Sequence, residues 1–251
     1  MRHNERVQEE FARQGESFRD SPALAAVELT SRVAQALGEG HERVLDIACG
    51  PGALLPTLAP CARTVVGVDL TFRALQLARE TKPGSALLIR ALSENLPFRP
   101  ASFDAALLRL ALHHFVEPSL ALESARSVIR PGGRLVVLDL LAPEDPEARP
   151  LRDALERFRD PSHARLLSLE EMRRQLMGAG FAAPVETLWS QRREFSEWAR
   201  IIHEPERMSD FRLILNALAK SSGDATGLEL TSEGDELWFT HDWGLFVAAA
   251  V

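Results

Sequence analysis

The sequence predicts an α/β fold built on a mostly parallel sheet with helices on both faces. The first observation is a short apolar run, residues 44–47, which opens into a turn containing Gly50 and Gly52 and then into a helix-like segment. The second is another apolar run, residues 64–69, which follows that segment. Strand, tight turn, helix and strand in this order form a βαβ unit, the building block of parallel sheets.

Later segments continue this alternation to the end of the chain. Short apolar runs between turn residues predict further strands at 86–89, 105–110, 128–138 and 181–188, and one closing strand formed by 237–239 with 243–251. Amphipathic segments predict helices at 71–80, 151–158 and 168–178. Ser168 and Glu171 form a capping-box pattern, which indicates where the last of these helices begins.

Two helical regions lie outside the alternation. Residues 5–18 and 23–37 predict an N-terminal helical arm that can close over a ligand. Residues 195–219 carry an apolar stripe, interrupted at Glu204-Pro205, and predict a helical insertion before the closing strand. We therefore expect one domain, 1–251, with an arm at 1–40, a ligand-binding core at 41–141, covering helices with the sixth strand at 142–222, and a closing strand region at 223–251.

The glycine turn and an acidic residue indicate a nucleotide-like ligand. Gly50 and Gly52 allow the backbone to approach a ligand without a Cβ in the way, and the following helix points its free N–H groups at the same place. Asp69 ends the second strand, where its carboxylate can accept both hydroxyls of a ribose.

Composition restricts the class of partner. The net charge of −7 argues against a broad phosphate-binding surface, so a small molecule is favoured over nucleic acid. Neither a membrane-spanning run nor an N-terminal leader is expected, which favours a cytoplasmic location. Cys49 and Cys61 have neither metal-ligand nor disulfide spacing, and no metal is expected. Because the chain has no Tyr, the Tyr-x-x-x-Lys dyad of short-chain dehydrogenases is absent.

Two motifs carry a resemblance to a known family. The turn has Leu55 where a dinucleotide-binding turn would continue to its third glycine, which counts against NAD. Instead, it resembles the D-x-[GA]-x-G-x-G turn of class I S-adenosylmethionine (SAM) dependent methyltransferases, beginning here at Asp46. Residues 91–98 and 102–104 resemble the A-E-x-L-P-F…S-F-D run of the UbiE/COQ5-like methyltransferases. The resemblance implies a Rossmann-like sheet of seven strands, the last antiparallel, with SAM as cofactor and S-adenosylhomocysteine (SAH) as its product.

The resemblance also implies a set of cofactor contacts. Asp46 would lie near the methionine amino group, and the loop before Glu94 would edge the adenine. The family often has Asp where this chain has Leu92, so the adenine contact would come from the backbone or from Ser93. The expected cofactor-binding residues are Asp46, Ala48, Gly50, Gly52, Asp69, Leu70, Ser93, Glu94 and Arg109.

Histidine residues supply the candidate base. Arg109 and the pair His113-His114 match the family's R-x-x-x-H-H-F pattern at the end of the fourth strand. A His with a pKa near neutrality can take a proton from the atom that is methylated. We expect His113 and, in a later loop, His163 as catalytic candidates, with purely structural roles as the alternative for each. The expected substrate-binding residues are Phe18, His114, Asp139, Arg165 and Trp198.

The predicted function is methyl transfer from SAM to a small molecule by in-line displacement. An aromatic or quinone-like acceptor is favoured, and the sequence leaves open whether oxygen, nitrogen or carbon is methylated. One alternative is a protein of the same fold that binds SAM without methylating. A nicotinamide oxidoreductase is the other. The protein is expected to act as a monomer or homodimer.

Overall fold

The computed structural model describes residues 3–21, 27–202, 204–221 and 223–251. The helices are α1 (His3–Asp20), α2 (Val27–Leu37), α3 (Leu55–Leu58), α4 (Phe72–Thr81), α5 (Pro118–Val128), α6 (Arg149–Arg159), α7 (Leu169–Gly178), α8 (Phe195–Ala199) and α9 (Pro205–Ala219). The strands are β1 (His41–Ile47), β2 (Ala62–Asp69), β3 (Ala86–Arg90), β4 (Phe103–Arg109), β5 (Ile129–Leu140), β6 (Val185–Glu194), β7 (Thr231–Glu233) and β8 (Glu236–Ala249).

These strands form one sheet in the order β3-β2-β1-β4-β5-β8-β6, and β7 pairs with β8 outside this path. The first five strands of the order are parallel, whereas β8 runs antiparallel to both β5 and β6. The predicted fold class is confirmed. The strand β7 is additional to the seven predicted: its three residues are all exposed, so no apolar run signals it in the sequence.

The sixth strand differs most from its predicted bounds. It begins at Val185 rather than Phe181 and continues to Glu194, while Phe181 makes only an isolated bridge with Ala250. β6 is an edge strand with a largely exposed, polar sequence. Its pairing with β8, and not its own hydrophobicity, therefore sets its length.

The core lies on both faces of the sheet. Alternate residues of a strand point to opposite faces, and Val44 packs in one apolar cluster while Leu45 packs in the other. All seven residues of β4 are buried, as expected for a parallel strand covered by helices on both sides. The covering helices include α2, whose Leu29 and Val33 are buried. The first part of the predicted helix 23–37 lies outside the described residues.

The glycine turn after β1 depends on unusual backbone angles. Gly50 and Gly52 have φ of 54° and 78°, in the left-handed region that favours glycine. A Cβ on Gly52 would lie 2.8 Å from the Cβ of Ala78, so glycine lets the turn pack directly on α4. The turn is thus held against the sheet at the position where β1 ends.

The predicted helix at 5–18 is confirmed as α1, which packs along α4. A Cβ on Gly15 would lie 2.9 Å from Leu77 Cδ1, so glycine permits this close approach. An ion pair of 2.8 Å joins Arg73 of α4 to Glu16 of α1. Exposed ion pairs of this kind add little stability. In the chain as described, no helix combines the length and apolar character needed to cross a bilayer.

The capping box at the start of α7 is confirmed, and it supports a stability prediction. Ser168 Oγ accepts from Glu171 N at 3.3 Å, and Glu171 Oε2 accepts from Ser168 N at 2.9 Å. We expect Ser168→Ala to lower the free energy of unfolding by about 1 kcal/mol, because the N–H of Glu171 loses its side-chain acceptor in the first turn of α7. Urea unfolding measures it. The exposed Ser127 near the end of α5 provides the control Ser127→Ala, and equal stability of the two variants would contradict the prediction.

Candidate active site

A cavity of about 840 Å³, including its open mouth, lies at the carboxyl ends of β1, β2 and β4. We call it the first cavity. The strand order reverses at β1, and such a switch point is where α/β sheets bind ligands. Eight of the predicted cofactor-binding residues line it, namely Asp46, Ala48, Gly50, Asp69, Leu70, Ser93, Glu94 and Arg109. Gly52 is not among its lining residues and instead packs against Ala78 of α4.

Two residues other than glycine adopt left-handed backbone angles at this cavity. Ala48 follows β1 with φ of 55°, and Leu110 follows β4 with φ of 51°. Such angles are unfavourable for residues with a Cβ and tend to occur at functional sites. Leu110 N donates to Leu138 O at 2.7 Å, which holds the turn after β4 against β5. These angles turn the chain sharply at the two strand ends and thereby form the cavity floor.

Asp69 organises the glycine turn. Its Oδ2 accepts from Gly50 N at 2.8 Å and its Oδ1 accepts from Thr71 N at 2.7 Å. Burial raises the pKa of Asp69, while these hydrogen bonds act in the opposite direction. Each carboxylate oxygen has a second lone pair, so Asp69 retains the capacity to accept hydroxyl groups from a ligand in the first cavity.

Asp46 is the second carboxylate of the first cavity. Burial raises its pKa to about 7, while the positive charge of Arg109 acts to lower it. A cationic ligand group at this position would favour the ionised form. At Gly50, a Cβ would have no atom of a described residue within 4 Å, so the turn leaves open space there. The cavity therefore fits a ligand that combines a ribose with an ammonium group.

A smaller cavity, of about 500 Å³ including its mouth, adjoins the first. We call it the second cavity. Four residues line both cavities and mark their junction: Phe11, Phe18, Leu110 and His114. The deeper walls of the second cavity include Trp198, a residue expected to bind substrate, and four residues that the sequence did not identify, namely Arg159, Arg193, His241 and Trp243.

His113 borders the second cavity and forms a pair with Asp139. Asp139 accepts from His113 Nδ1 at 2.5 Å, from Leu112 N at 2.9 Å and from Leu140 N at 2.8 Å. Burial lowers the pKa of His113, but the charge and hydrogen bond of Asp139 outweigh it, so the net pKa is raised from its usual value. With Nδ1–H directed at Asp139, the proton-accepting nitrogen of neutral His113 is Nε2.

His114 lies at the junction in a different state. Its Nδ1 is 3.1 Å from both the carbonyl and the hydroxyl oxygen of Ser162, and its ring contacts Phe11. Burial and the neighbouring His113 lower its pKa to about 3. His114 is therefore neutral near pH 7 and a weak proton acceptor. Its carbonyl oxygen accepts from His3 Nε2 at 2.7 Å, which ties α1 to the junction.

The two predicted residues of the 159–165 loop, His163 and Arg165, are not among the residues that line either cavity, although the ring of His163 lies 5.6 Å from that of His113. His163 Nε2 is 3.1 Å from Asp153 Oδ1, and burial lowers the pKa of His163. Arg165 pairs with Glu171 at 2.9 Å beside the cap of α7. Asp139 contacts the second cavity only through His113. Within the described ranges, no group of three or more His, Cys, Asp or Glu side chains is arranged to hold a metal ion.

The residues missed by sequence reasoning lie on α6, β6 and β8. Along β8, every second residue from Leu237 to Trp243 is buried, and this alternation was available in the sequence. It places His241 on the same inward face as Trp243. No local pattern predicted Arg193 at the cavity, because its position depends on the pairing of β6 with β8.

Comparison with known proteins gives consistent results. Residues 45–137 match the family model described as "Methyltransferase domain". The chain is 28% identical over 235 residues to the uncharacterized methyltransferase YcgJ of Bacillus subtilis, covering 91% of this chain and 93% of that protein. It is 30% identical over 179 residues to a demethylmenaquinone methyltransferase of Clavibacter sepedonicus, covering 70% of each. The crystal structure of YcgJ superposes with a TM-score of 0.80 at 25% identity, covering 89% of this chain and 98% of that one.

Proposed function

Since this chain belongs to the UbiE-like family of class I SAM-dependent methyltransferases, we propose that it methylates a small aromatic or quinone-like acceptor bound in the second cavity. The observation that carries this proposal is the junction at Leu110 and His114, where a cavity suited to SAM meets one with aromatic walls. The name of the Clavibacter relative is consistent with a quinone-like acceptor.

The first cavity is proposed to hold SAM, which supplies a methyl group on a sulfonium. Asp69 accepts the ribose hydroxyls, and Asp46 faces the amino group of the methionine portion. Ser93, Glu94 and Leu70 border the adenine, while Ala48, Gly50 and Arg109 complete the wall. Residues 41–141 thus act as the cofactor-binding core of a single domain.

The arm is proposed to exclude water from the reaction. Phe11 and Phe18 of α1 line both cavities, and Trp198 of the helical insertion lines the second. Apolar walls on both sides of the junction raise the strength of electrostatic interactions there and hold the acceptor in a reactive position. In this arrangement residues 1–40 are the arm, residues 142–222 cover the acceptor, and residues 223–251 close the sheet.

His113 is proposed to act as the general base. Its Nε2 accepts the proton of the acceptor while the acceptor's lone pair forms the new bond to the methyl carbon from the side opposite sulfur. The electron pair of the broken bond remains on sulfur. Asp139 positions the ring through Nδ1 and stabilises the imidazolium. His163 remains a second candidate, and it would need to release Asp153 and reach the cavity.

Calorimetric titration with SAM, SAH and NADH tests the cofactor. We expect SAM and SAH to bind and NADH to give no signal, and an acceptor screen should then be followed by SAH formation. Binding of SAM without SAH formation from any aromatic, quinol or quinone-like acceptor would favour the alternative of a SAM-binding protein that does not methylate.

The ribose assignment predicts a loss of affinity at Asp69. We expect Asp69→Ala to weaken SAM binding about tenfold or more, because two ligand hydroxyls and two turn N–H groups lose their acceptor. The titration is repeated after circular dichroism has verified folding. Thr57→Ala serves as the control, since Thr57 lies in α3 and is not among the residues that line the first cavity. Unchanged affinity in a folded Asp69→Ala protein would refute the assignment.

A further inference from the structure

Three buried side chains of the second cavity have polar atoms whose hydrogen-bonding capacity is unused. The atoms are Arg193 Nε and Nη2, His241 Nδ1 and Nε2, and Trp243 Nε1, none of which has a hydrogen-bond partner among the residues described. Arg193, His241 and Trp243 are only 4%, 1% and 2% exposed. Buried polar groups are almost always satisfied, so a cluster of exceptions at one cavity calls for a ligand.

The pairing of β6 with β8 explains why these groups converge. Arg193 lies opposite Phe239, and directly opposed residues share a face of the sheet. His241 and Trp243 follow Phe239 at intervals of two along β8, so they project from that same face. The sheet therefore brings a guanidinium, an imidazole and an indole N–H to the wall of one cavity.

Arg193 has N–H donors that the neighbouring carboxylates do not use. Arg159 also lines the cavity, but its Nε pairs with Glu156 at 3.1 Å and its guanidinium stacks on Trp198. The carboxylate of Asp160 accepts from the N–H and hydroxyl of Ser162. Glu197 lies 3.7 Å from Arg193 Nη2, beyond hydrogen-bond distance, and is part-exposed. The carboxylates of Glu197 and Glu156 thus act on the charge of Arg193, but Nε and Nη2 have no hydrogen-bond acceptor among the residues described.

We propose that the methyl acceptor is an aromatic acid whose anionic oxygen group binds Arg193 and the indole N–H of Trp243. The proposal rests on the methyl transfer proposed above. Burial strengthens a charge-assisted hydrogen bond, and a guanidinium suits the two oxygens of a carboxylate. The indole of Trp243 and that of Trp198 supply the apolar surface for the ring. Burial lowers the pKa of His241 to about 3 although Glu156 Oε1 lies 3.8 Å from its Nε2, so the neutral ring can give or take one hydrogen bond without adding charge.

The anionic group is an anchor and not the atom that is methylated. Arg193, His241 and Trp243 line the second cavity, and as described they do not line the first. The methyl donor would lie in the first cavity, so methyl transfer occurs at the junction beside His114. The acceptor therefore has two functional ends: an acidic group at β6 and β8, and a nucleophilic atom at the junction.

Calorimetry on the SAH-saturated enzyme tests the anchor. The probes are benzoate and 2-naphthoate, each compared with its neutral amide. We expect at least one acid to bind about tenfold or more tightly than its amide, and Arg193→Met to remove that difference while the affinity for SAH stays unchanged. Equal binding of acid and amide, no binding of either acid, or full retention of acid binding in Arg193→Met would overturn the proposal. If the wild-type protein does not bind SAH at all, the result would instead refute the proposed donor site in the first cavity.

Thermal stability separates a ligand-binding arginine from a structural one. An arginine kept for a ligand costs stability when the ligand is absent, so Arg193→Met should raise the Tm by about 2 °C or more. Arg152 is the matched control: it is equally buried but hydrogen-bonds Glu156 at 3.2 Å. Arg152→Met should lower the Tm, because it leaves a buried carboxylate with fewer partners. A lower Tm in Arg193→Met as well would show that Arg193 is structural and overturn the proposal.

Discussion

His113→Ala is expected to lower kcat about 100-fold or more at saturating SAM, because the acceptor then loses its proton only to water. The affinity for SAM should remain as in the wild-type enzyme, since His113 borders the second cavity and, as described, not the first. Formation of SAH measures the rate, and calorimetry measures the affinity. His163→Ala tests the second candidate, whose ring lies 5.6 Å from that of His113, and His41→Ala at the start of β1 is the control.

The pH dependence of kcat distinguishes a base from a residue that only supports the fold. His113 acts as a base only in its neutral form. Asp139 raises the pKa of His113, so kcat should fall as the pH drops through this raised pKa and the ring becomes protonated. Asp139→Asn removes the charge and leaves burial, which lowers the pKa. The acid limb should therefore move to lower pH while kcat declines. Full activity of His113→Ala across pH would refute the base, and loss in His163→Ala alone would transfer the role to His163.

The second large effect is expected at Asp46. Asp46→Asn should weaken SAM binding about 30-fold or more, because truncating one partner of a buried charge pair costs about 2–5 kcal/mol. For the wild-type protein, binding should also weaken as the pH falls below about 7, since the carboxyl is then protonated before the ligand arrives. Calorimetry between pH 6 and pH 8 measures this slope. An affinity for SAM that does not change with pH, or with Asp46→Asn, would contradict the assignment.

The same carboxyl has an effect on stability of predictable sign. Its pKa is raised from 3.8 when unfolded to about 7 when folded, so the folded state holds the proton more tightly. Folding stability is therefore lost as the pH rises from about 4 to 7. Asp46→Asn removes this loss and should raise the Tm at pH 8 while changing it little at pH 4. A lower Tm at pH 8 would show that the ionised carboxylate stabilises the fold.

The first cavity was predictable from the sequence because its residues lie within short, strongly patterned segments. Parallel strands end at the same edge of the sheet. The glycine turn after one strand and the acid at the end of the next are therefore brought together by the fold itself. Asp46, Gly50 and Asp69 thus line one cavity as the spacing indicates. The interruption at Glu204-Pro205 was also predictable from the local sequence, because proline has no backbone N–H to donate within a helix.

The second cavity was much less predictable, because distant segments form it. The sequence placed Asp139 at the same rim as His113 but could not show that the two side chains are hydrogen-bonded. That contact depends on the register of β4 against β5. Nor could it decide which of two adjacent histidines lies at the junction, since the left-handed angle of Leu110 and the turn at 112–114 set their directions. Arg193 required the register of an edge strand with little hydrophobic pattern of its own.

Because Phe11 and Phe18 of α1 line both cavities, we expect a ligand in one cavity to change the affinity for a ligand in the other. A ligand in the first cavity that orders Phe11 and Phe18 also completes the surface against which the acceptor packs. By thermodynamic linkage, the acceptor then strengthens donor binding by the same factor. We therefore expect the two ligands to bind with positive cooperativity, and removal of α1 to weaken that coupling, which titration of each ligand in the presence of the other measures.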